Sequence, residues 1–449
     1  MFQTFKLISS WLSAPNTVLF LEAVAALRVP FYRLPSSIKH FMSVTKSSLN
    51  RLTILFPLAL VLFEFSVYIG NDLIQPAMLS ITKEFGVSSS WAPSSMSFYL
   101  LGGACVAWLL GPLSDRIGRK KVMLGGVAFF VLTCLGILFT HNIEQFLLLR
   151  LLQGTGLTVI SAVGYAAIQE TFEERDAIKV MALMANISLL APLLGPILGA
   201  FLIDHVSWHW GFIGIAFLAF LSWFGLNSKM PDNPPVAAKM PVKALFGEFK
   251  QVYANRRFLG LTLSLPMISL PLMLWIALSP VILVEELGLS SMEYGLAQFP
   301  VLGGLILGNI LLVRIVDKMA LGRSVLMGLP IMLVGTLIIL IGTAVSSIFV
   351  PCLILGMSLI SFGEGIAFSV TYRFALMSSE VGKGTVAASV SMLLTLVFFF
   401  VIEIVRVLYE HLGLWVYSLA CFALIALWFT FPRRMLKAIM QERKTQNIF

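Results

Sequence analysis

Twelve stretches of roughly twenty predominantly apolar residues recur along the 449-residue chain. Windows of about 19 residues place them near 52–74, 94–113, 121–140, 143–166, 178–203, 208–227, 258–284, 293–314, 323–343, 347–369, 384–408 and 413–431. A hydrocarbon layer ~30 Å thick takes about 20 helical residues to cross, and within it every backbone polar group must be paired inside the segment. The stretches therefore predict an all-α integral membrane protein. Composition agrees: 58% of residues are hydrophobic and 12% charged, against roughly 25% charged in a soluble domain. The four cysteines, Cys105, Cys134, Cys352 and Cys421, stand alone in apolar runs with neither metal-ligand spacing nor a paired pattern.

The net charge of +9 does not call for a nucleic-acid partner, because Lys and Arg fall in short loops on one side. Arg116, Arg119, Lys120 and Lys121 lie on that side with the central loop, Arg314, Lys318, Arg323 and the tail residues Arg433, Arg434, Lys437 and Arg443. The other side carries Lys83 and several acids, among them Glu285, Glu286, Glu293 and Glu410. Both termini are expected to be cytoplasmic. The most polar interruption, Asn227 to Arg257, holds Pro231, Pro234, Pro235 and Pro241 and splits the spans six and six. The expected organisation is an N-terminal extension over 1–50, a first bundle over 51–227, a cytoplasmic loop over 228–257, a second bundle over 258–431 and a cytoplasmic tail over 432–449. Met42 precedes a polar run and makes an ordinary start, so residues 1–41 are expected to be either a mis-assigned start or an interfacial extension.

Two carboxylates, Glu64 and Asp72, sit inside the first apolar stretch. Near the bilayer centre an acidic residue costs about 2.5–3.5 kcal/mol on insertion scales, so such a group is by default a candidate for a substrate or proton pathway. Eight residues apart on a helix, the pair is separated by ~12 Å and ~80° and shares one face. A polar cavity within a bundle would shelter both.

An internal repeat supports two halves. Gly111-Pro112-Leu113-Ser114-Asp115-Arg116-Ile117-Gly118-Arg119-Lys120 joins spans 2 and 3, and Arg314-Ile315-Val316-Asp317-Lys318 with Gly322-Arg323 joins spans 8 and 9. Repeated halves with a site at their interface are a transporter signature.

The first of these loops resembles the loop motif of the major facilitator superfamily. Arg150-Leu151-Leu152-Gln153-Gly154 is similar to its fourth-helix motif, and Ala191-Pro192-Leu193-Leu194-Gly195-Pro196-Ile197-Leu198-Gly199 to its antiporter motif. The stretches 64–76, Tyr165 to Glu174, Ile178 to Ala200 and 269–280 are similar to the MdfA-type multidrug/proton antiporters. The resemblance covers about Leu52 to Phe431 and implies twelve helices in two pseudo-symmetric six-helix bundles, the major facilitator fold. It further implies a monomeric proton-coupled antiporter of the bacterial inner membrane, surrounded by lipid, that exports lipophilic cationic or neutral toxic compounds with the proton gradient as its energy source and no cofactor. The runner-up is a proton symporter importing a nutrient. An enzyme or ATPase is not expected: no metal cluster, Ser-His-Asp set or phosphate-binding loop is present.

Site expectations follow. Desolvation disfavours an ionised carboxylate, so a change of access at Asp72 and Glu64 would load or unload a proton. A membrane arginine near a helix end ordinarily snorkels to the interface; the resemblance favours a functional Arg150 partnering Asp72, with Gln153 on the same face. Tyr68 and Asn71 can hydrogen-bond substrate. Met184, Leu272, Met273, Trp275 and Phe398 offer a soft apolar and aromatic lining. Pro192, Gly195, Pro196 and Gly199 form a kinked joint with a small-residue face. Gly111, Asp115, Arg116, Gly118 and Arg119 are the expected gating loop. Glu364 is an additional membrane carboxylate, either an extra proton site or a partner of Arg373. Glu403 and Arg406, one turn apart, are expected to satisfy each other.

Overall fold

The computed structural model describes residues 53–232, 242–319, 322–379 and 381–430. The extension 1–50, the tail 432–449 and residues 233–241 of the central loop lie outside them, as do the side chains of several residues within the fifth span, Asn186 and Ser188 among them.

Ten helices among the described residues are long and apolar enough to cross a membrane, and two shorter apolar ones, Leu190–His205 and Leu414–Thr430, fill the predicted places of spans 5 and 12. We number the α-helices in chain order. The first half holds α1 (Leu55–Asp72), the short α2 (Met78–Glu84), α3 (Ser94–Ile117), α4 (Arg119–Gly136), α5 (Ile143–Thr158), α6 (Tyr165–Thr171), α7 (Glu174–His205) and α8 (His209–Lys229). The second holds α10 (Arg256–Ser279), α11 (Ser291–Ile315), α12 (Arg323–Ala344), α13 (Phe349–Leu376), α14 (Lys383–Leu412) and α15 (Leu414–Thr430), and α9 (Val242–Ala254) lies between the halves.

Span 4 is longer than its hydropathy indicates. A π-helical turn, Val159–Gly164, joins α5 to α6 and carries the helical path on to Thr171. The extension is polar, which is why a hydropathy window ends early. Likewise α13 runs past the expected 369 to Leu376. The central loop is also not wholly irregular, because α9 occupies its second part with Phe249 and Val252 buried.

Local chemistry sets the helix ends. Asn142 accepts from the Gln145 backbone N–H at 2.9 Å at the start of α5, and Ser290 with Glu293 makes a reciprocal capping box at the start of α11. Gly118, with φ of +101°, turns α3 into α4, and Gly322, also at +101°, precedes α12. The repeated Gly-Arg pairs thus both begin at positive φ, but the two turns differ: ψ is 138° at Gly118 and −18°, left-handed, at Gly322.

Packing repeats as well. In the first half α3 packs on α5, α8 on α1 and α4, and α7 on α1. In the second, α11 packs on α13, α15 on α10 and α12, and α14 on α10. Each second-half pair corresponds to its first-half pair by span order. Close approach explains the strongest of them: Gly102 and Gly154 leave no space for a Cβ beside the backbone of Leu151 and Tyr99, and Gly304 and Gly308 do the same beside Ser358 and Phe362. Without a hydrophobic drive between helices in lipid, such small-residue contacts are a main source of packing energy. The halves meet where α3 contacts α14 and α7 contacts α11, again a symmetric pair.

Candidate functional site

The site begins with Arg150. Far from snorkelling, it is completely buried, and its donors are all directed inward. Nε donates to Ser95 Oγ at 3.0 Å, Nη1 to the Gly70 carbonyl at 3.1 Å and to Gln153 Oε1 at 2.9 Å, and Nη2 to Asn71 Oδ1 at 3.2 Å. The guanidinium carbon lies 4.5 Å from the centre of the Tyr99 ring, whose hydroxyl donates to the Val67 carbonyl at 2.8 Å. A planar fork with five donors suits such a set of acceptors, and cation–π contact strengthens when desolvated.

Asp72 is joined to this arginine through an intermediary. Asn71 accepts from Arg150 and donates through Nδ2 to Asp72 Oδ1 at 3.1 Å, while no ion pair among the described residues links Arg150 to Asp72 directly. The expected partnership therefore runs through an amide. Asp72 is buried, as is the 0%-exposed Glu64, which accepts from the Tyr165 hydroxyl at 3.1 Å. The two carboxylates thus occupy separate environments two turns apart along α1, one beside Arg150 and one beside α6. Tyr68 lies half-buried between them.

The small-residue face of α7 comes against the end of α1. A Cβ at Gly195 would lie 2.6 Å from the Asp72 Cβ, and one at Gly199 would strike the Leu73 carbonyl and Pro76. Pro196 continues this contact into the other half, since Gly295 of α11 packs against Pro196 and Ile197. Pro192 is half-buried one turn earlier on α7. The joint, the buried aspartate and the second half are therefore physically contiguous.

Met184 is buried on α7. Of the second-half lining, Leu272, Trp275 and Phe398 are buried and Met273 is half-buried. Trp275 donates its indole N–H to Gln298 Oε1 at 2.6 Å, which ties α10 to α11. Glu364 is buried with Oε2 lacking a hydrogen-bond partner, and among the described residues no ion pair joins it to the exposed Arg373.

At the basic end, Arg119 is clamped by Asp115 at 2.5 Å and by Glu170 at 2.8 Å, and it also meets Ser114 Oγ. Gly111 is half-buried, Gly118 makes the turn at positive φ and Arg116 is exposed. Sequence reading missed Glu170, Ser95, Tyr99 and Cys134, which is close to the Gln153 amide at 3.4 Å. The signal for Ser95 and Tyr99 was present: they are four residues apart in the polar start of span 2 and share a helix face. Glu170 and Cys134 carry no comparable pattern.

Comparison with known proteins gives the family. The family model described as Major Facilitator Superfamily matches residues 60–402. The chloramphenicol resistance protein CraA of Acinetobacter baumannii is 68% identical over 410 residues, spanning 91% of this chain and 99% of that protein. The multidrug transporter MdfA of Escherichia coli is 48% identical over 357 residues, 79% of this chain and 87% of its own. Among solved structures, a D-xylose-proton symporter superposes with a TM-score of 0.68 at 17% identity, covering 85% of this chain and 98% of that one. That likeness concerns the fold alone. On its sequence match, its repeated helix packing and its motifs in register, the chain belongs to the major facilitator superfamily, among the MdfA-type transporters.

Proposed function

We propose that the protein is a proton-coupled antiporter that exports lipophilic cationic or neutral toxic compounds across the bacterial inner membrane, with both termini in the cytoplasm. The observation that carries the reading is the seat of Asp72, between the Asn71 bridge to Arg150 and the Gly195 face of the antiporter-motif helix. A proton and a drug that favour opposite states of one buried carboxylate are mutually destabilising ligands, and that linkage is exchange. The names borne by CraA and MdfA, a chloramphenicol resistance protein and a multidrug transporter, support the substrate class.

In this reading the two halves rock about a midplane cavity. Asp72 carries the exchanged proton, and Arg150 holds Asn71 so that the aspartate keeps one orientation. Glu64, hydrogen-bonded to Tyr165, reads substrate charge or takes a second proton. Tyr68, Met184 and Met273 face substrates of varied shape, the methionines adapting through their flexible thioethers. The proton gradient supplies the energy, and the working unit is a monomer in lipid.

The test is drug-driven proton release from purified protein. Wild type releases protons on adding chloramphenicol or a lipophilic cation, whereas Asp72→Asn releases none and confers no resistance. Unchanged release from Asp72→Asn sinks the proposal. Vesicle flux in the same direction as the proton would favour the symporter instead.

A further inference from the structure

The two halves are fastened together at the end opposite the basic loops by a short antiparallel zipper between α3 and α14. Glu403 of α14 accepts from Ser94 Oγ at 3.1 Å and from Ser97 Oγ, both on α3 in the opposite half. Arg406, one turn on, pairs with Glu403 at 2.9 Å and lies over the Trp91 ring at 4.4 Å, again across the halves. One turn deeper, Phe98 meets Phe399 edge to face at 5.4 Å. The register is constant: as numbers rise from Trp91 to Phe98, their partners fall from Arg406 to Phe399.

The pair does more than the mutual satisfaction that its spacing predicts. An Arg and Glu one turn apart on a helix need no outside help, and in an exposed position they add little. Here both partners are largely buried, with side-chain exposures of 10% and 19%, and each spends its remaining capacity on the other half. Charge-assisted hydrogen bonds in a low-dielectric setting are stronger than neutral ones, and an ionised carboxylate accepts several at once. If the halves part at this end, Glu403 loses both serines and Arg406 loses Trp91, while their own ion pair remains to keep the charges compensated. Such a contact is strong when closed yet tolerable when open.

We propose that Glu403 and Arg406, with Ser94, Ser97 and Trp91, form the latch that closes the end of the pathway opposite the basic loops and is released in each transport cycle. This rests on the alternating-access reading above. Glu403 and Arg406 are positioning residues: they set the balance between closed and open states and touch no transported group.

The full-length protein in lipid nanodiscs, with Cys105 replaced and spin labels attached through His141→Cys and His411→Cys, reports the separation of the halves at this end by pulsed electron resonance. Both label positions are exposed. Glu403→Ala raises the long-distance fraction without drug about tenfold, the factor expected for losing charge-assisted hydrogen bonds. Ser94→Ala/Ser97→Ala, which leaves the ion pair intact and removes both cross-half donors, moves it in the same direction. Unchanged distance distributions with a lowered thermal midpoint in either variant would make the zipper a static brace and overturn the latch. A wild type that shows one distance with drug, at acid and at alkaline pH, would overturn alternating access itself, and the latch with it.

Discussion

Gly195 has no room for a side chain because Asp72 stands where its Cβ would be, 2.6 Å from the Asp72 Cβ and 3.0 Å from the adjoining backbone. The glycine of one motif and the carboxylate of another are therefore a single contact. Any shift of α7 along or away from α1 changes how tightly Asp72 is enclosed, which connects a conformational change to the proposed proton site without an intermediary.

That contact makes Gly195→Ala a sharp test. The added methyl meets backbone as well as side chain, so α1 and α7 must separate, at a cost of about 1–3 kcal/mol. Drug resistance should be lost while the protein still inserts and purifies. A thermal melt together with drug-driven proton release measures both effects, and full activity with an unchanged melt would show that the close approach is not needed.

Arg150 should not tolerate lysine. Its guanidinium serves Ser95, Gly70, Gln153 and Asn71 at once while stacked on Tyr99, and an ammonium has only three donors in a different geometry. Arg150→Lys keeps the charge yet leaves buried acceptors unmet, each costing about 1–3 kcal/mol. The expected outcome is loss of transport with a clearly lowered melting temperature. Wild-type transport by the lysine variant would reduce the role of Arg150 to its charge alone.

Each half begins its third span at a positive-φ glycine. Gly118 and Gly322 both adopt φ of +101°, a region in which L side chains are strained. Gly322→Ala, in the left-handed region, is expected to cost about 1–2 kcal/mol, and Gly118→Ala, at ψ of 138° where side chains are rarer still, about 1–3 kcal/mol. Because Gly118 also presents Arg119 to Asp115 and Glu170, its alanine variant should lose transport more than the Gly322 variant at equal loss of stability. Equal transport in the two variants would assign the turn a folding role only.

Much was legible in the sequence because the bilayer imposes one-dimensional rules. A run of apolar residues long enough to cross must be helical, and a charge inside it must be sheltered, so the spans, their repeat and the burial of Glu64, Asp72 and Arg150 follow from order along the chain. Period and polarity also gave the pairing of Glu403 with Arg406. What a hydropathy window could not give was helix that is neither apolar nor regular: the π-helical turn after α5, the polar extension to Thr171 that carries Glu170, and α9 within the central loop.

The sequence by itself determined which residues are costly to place in lipid, and so which ones demanded partners. Only the tertiary structure decided who the partners are, because they come from helices distant in the chain and the choice depends on crossing geometry. It put Asn71 between Arg150 and Asp72, so that the expected partnership runs through an amide, and it left Glu364 apart from Arg373. It turned a pair of charges on one helix into a fastening between halves by bringing Ser94 and Ser97 beside Glu403. Charge can be counted along a sequence, whereas the neighbours that compensate it are fixed when glycine faces let particular helices come close.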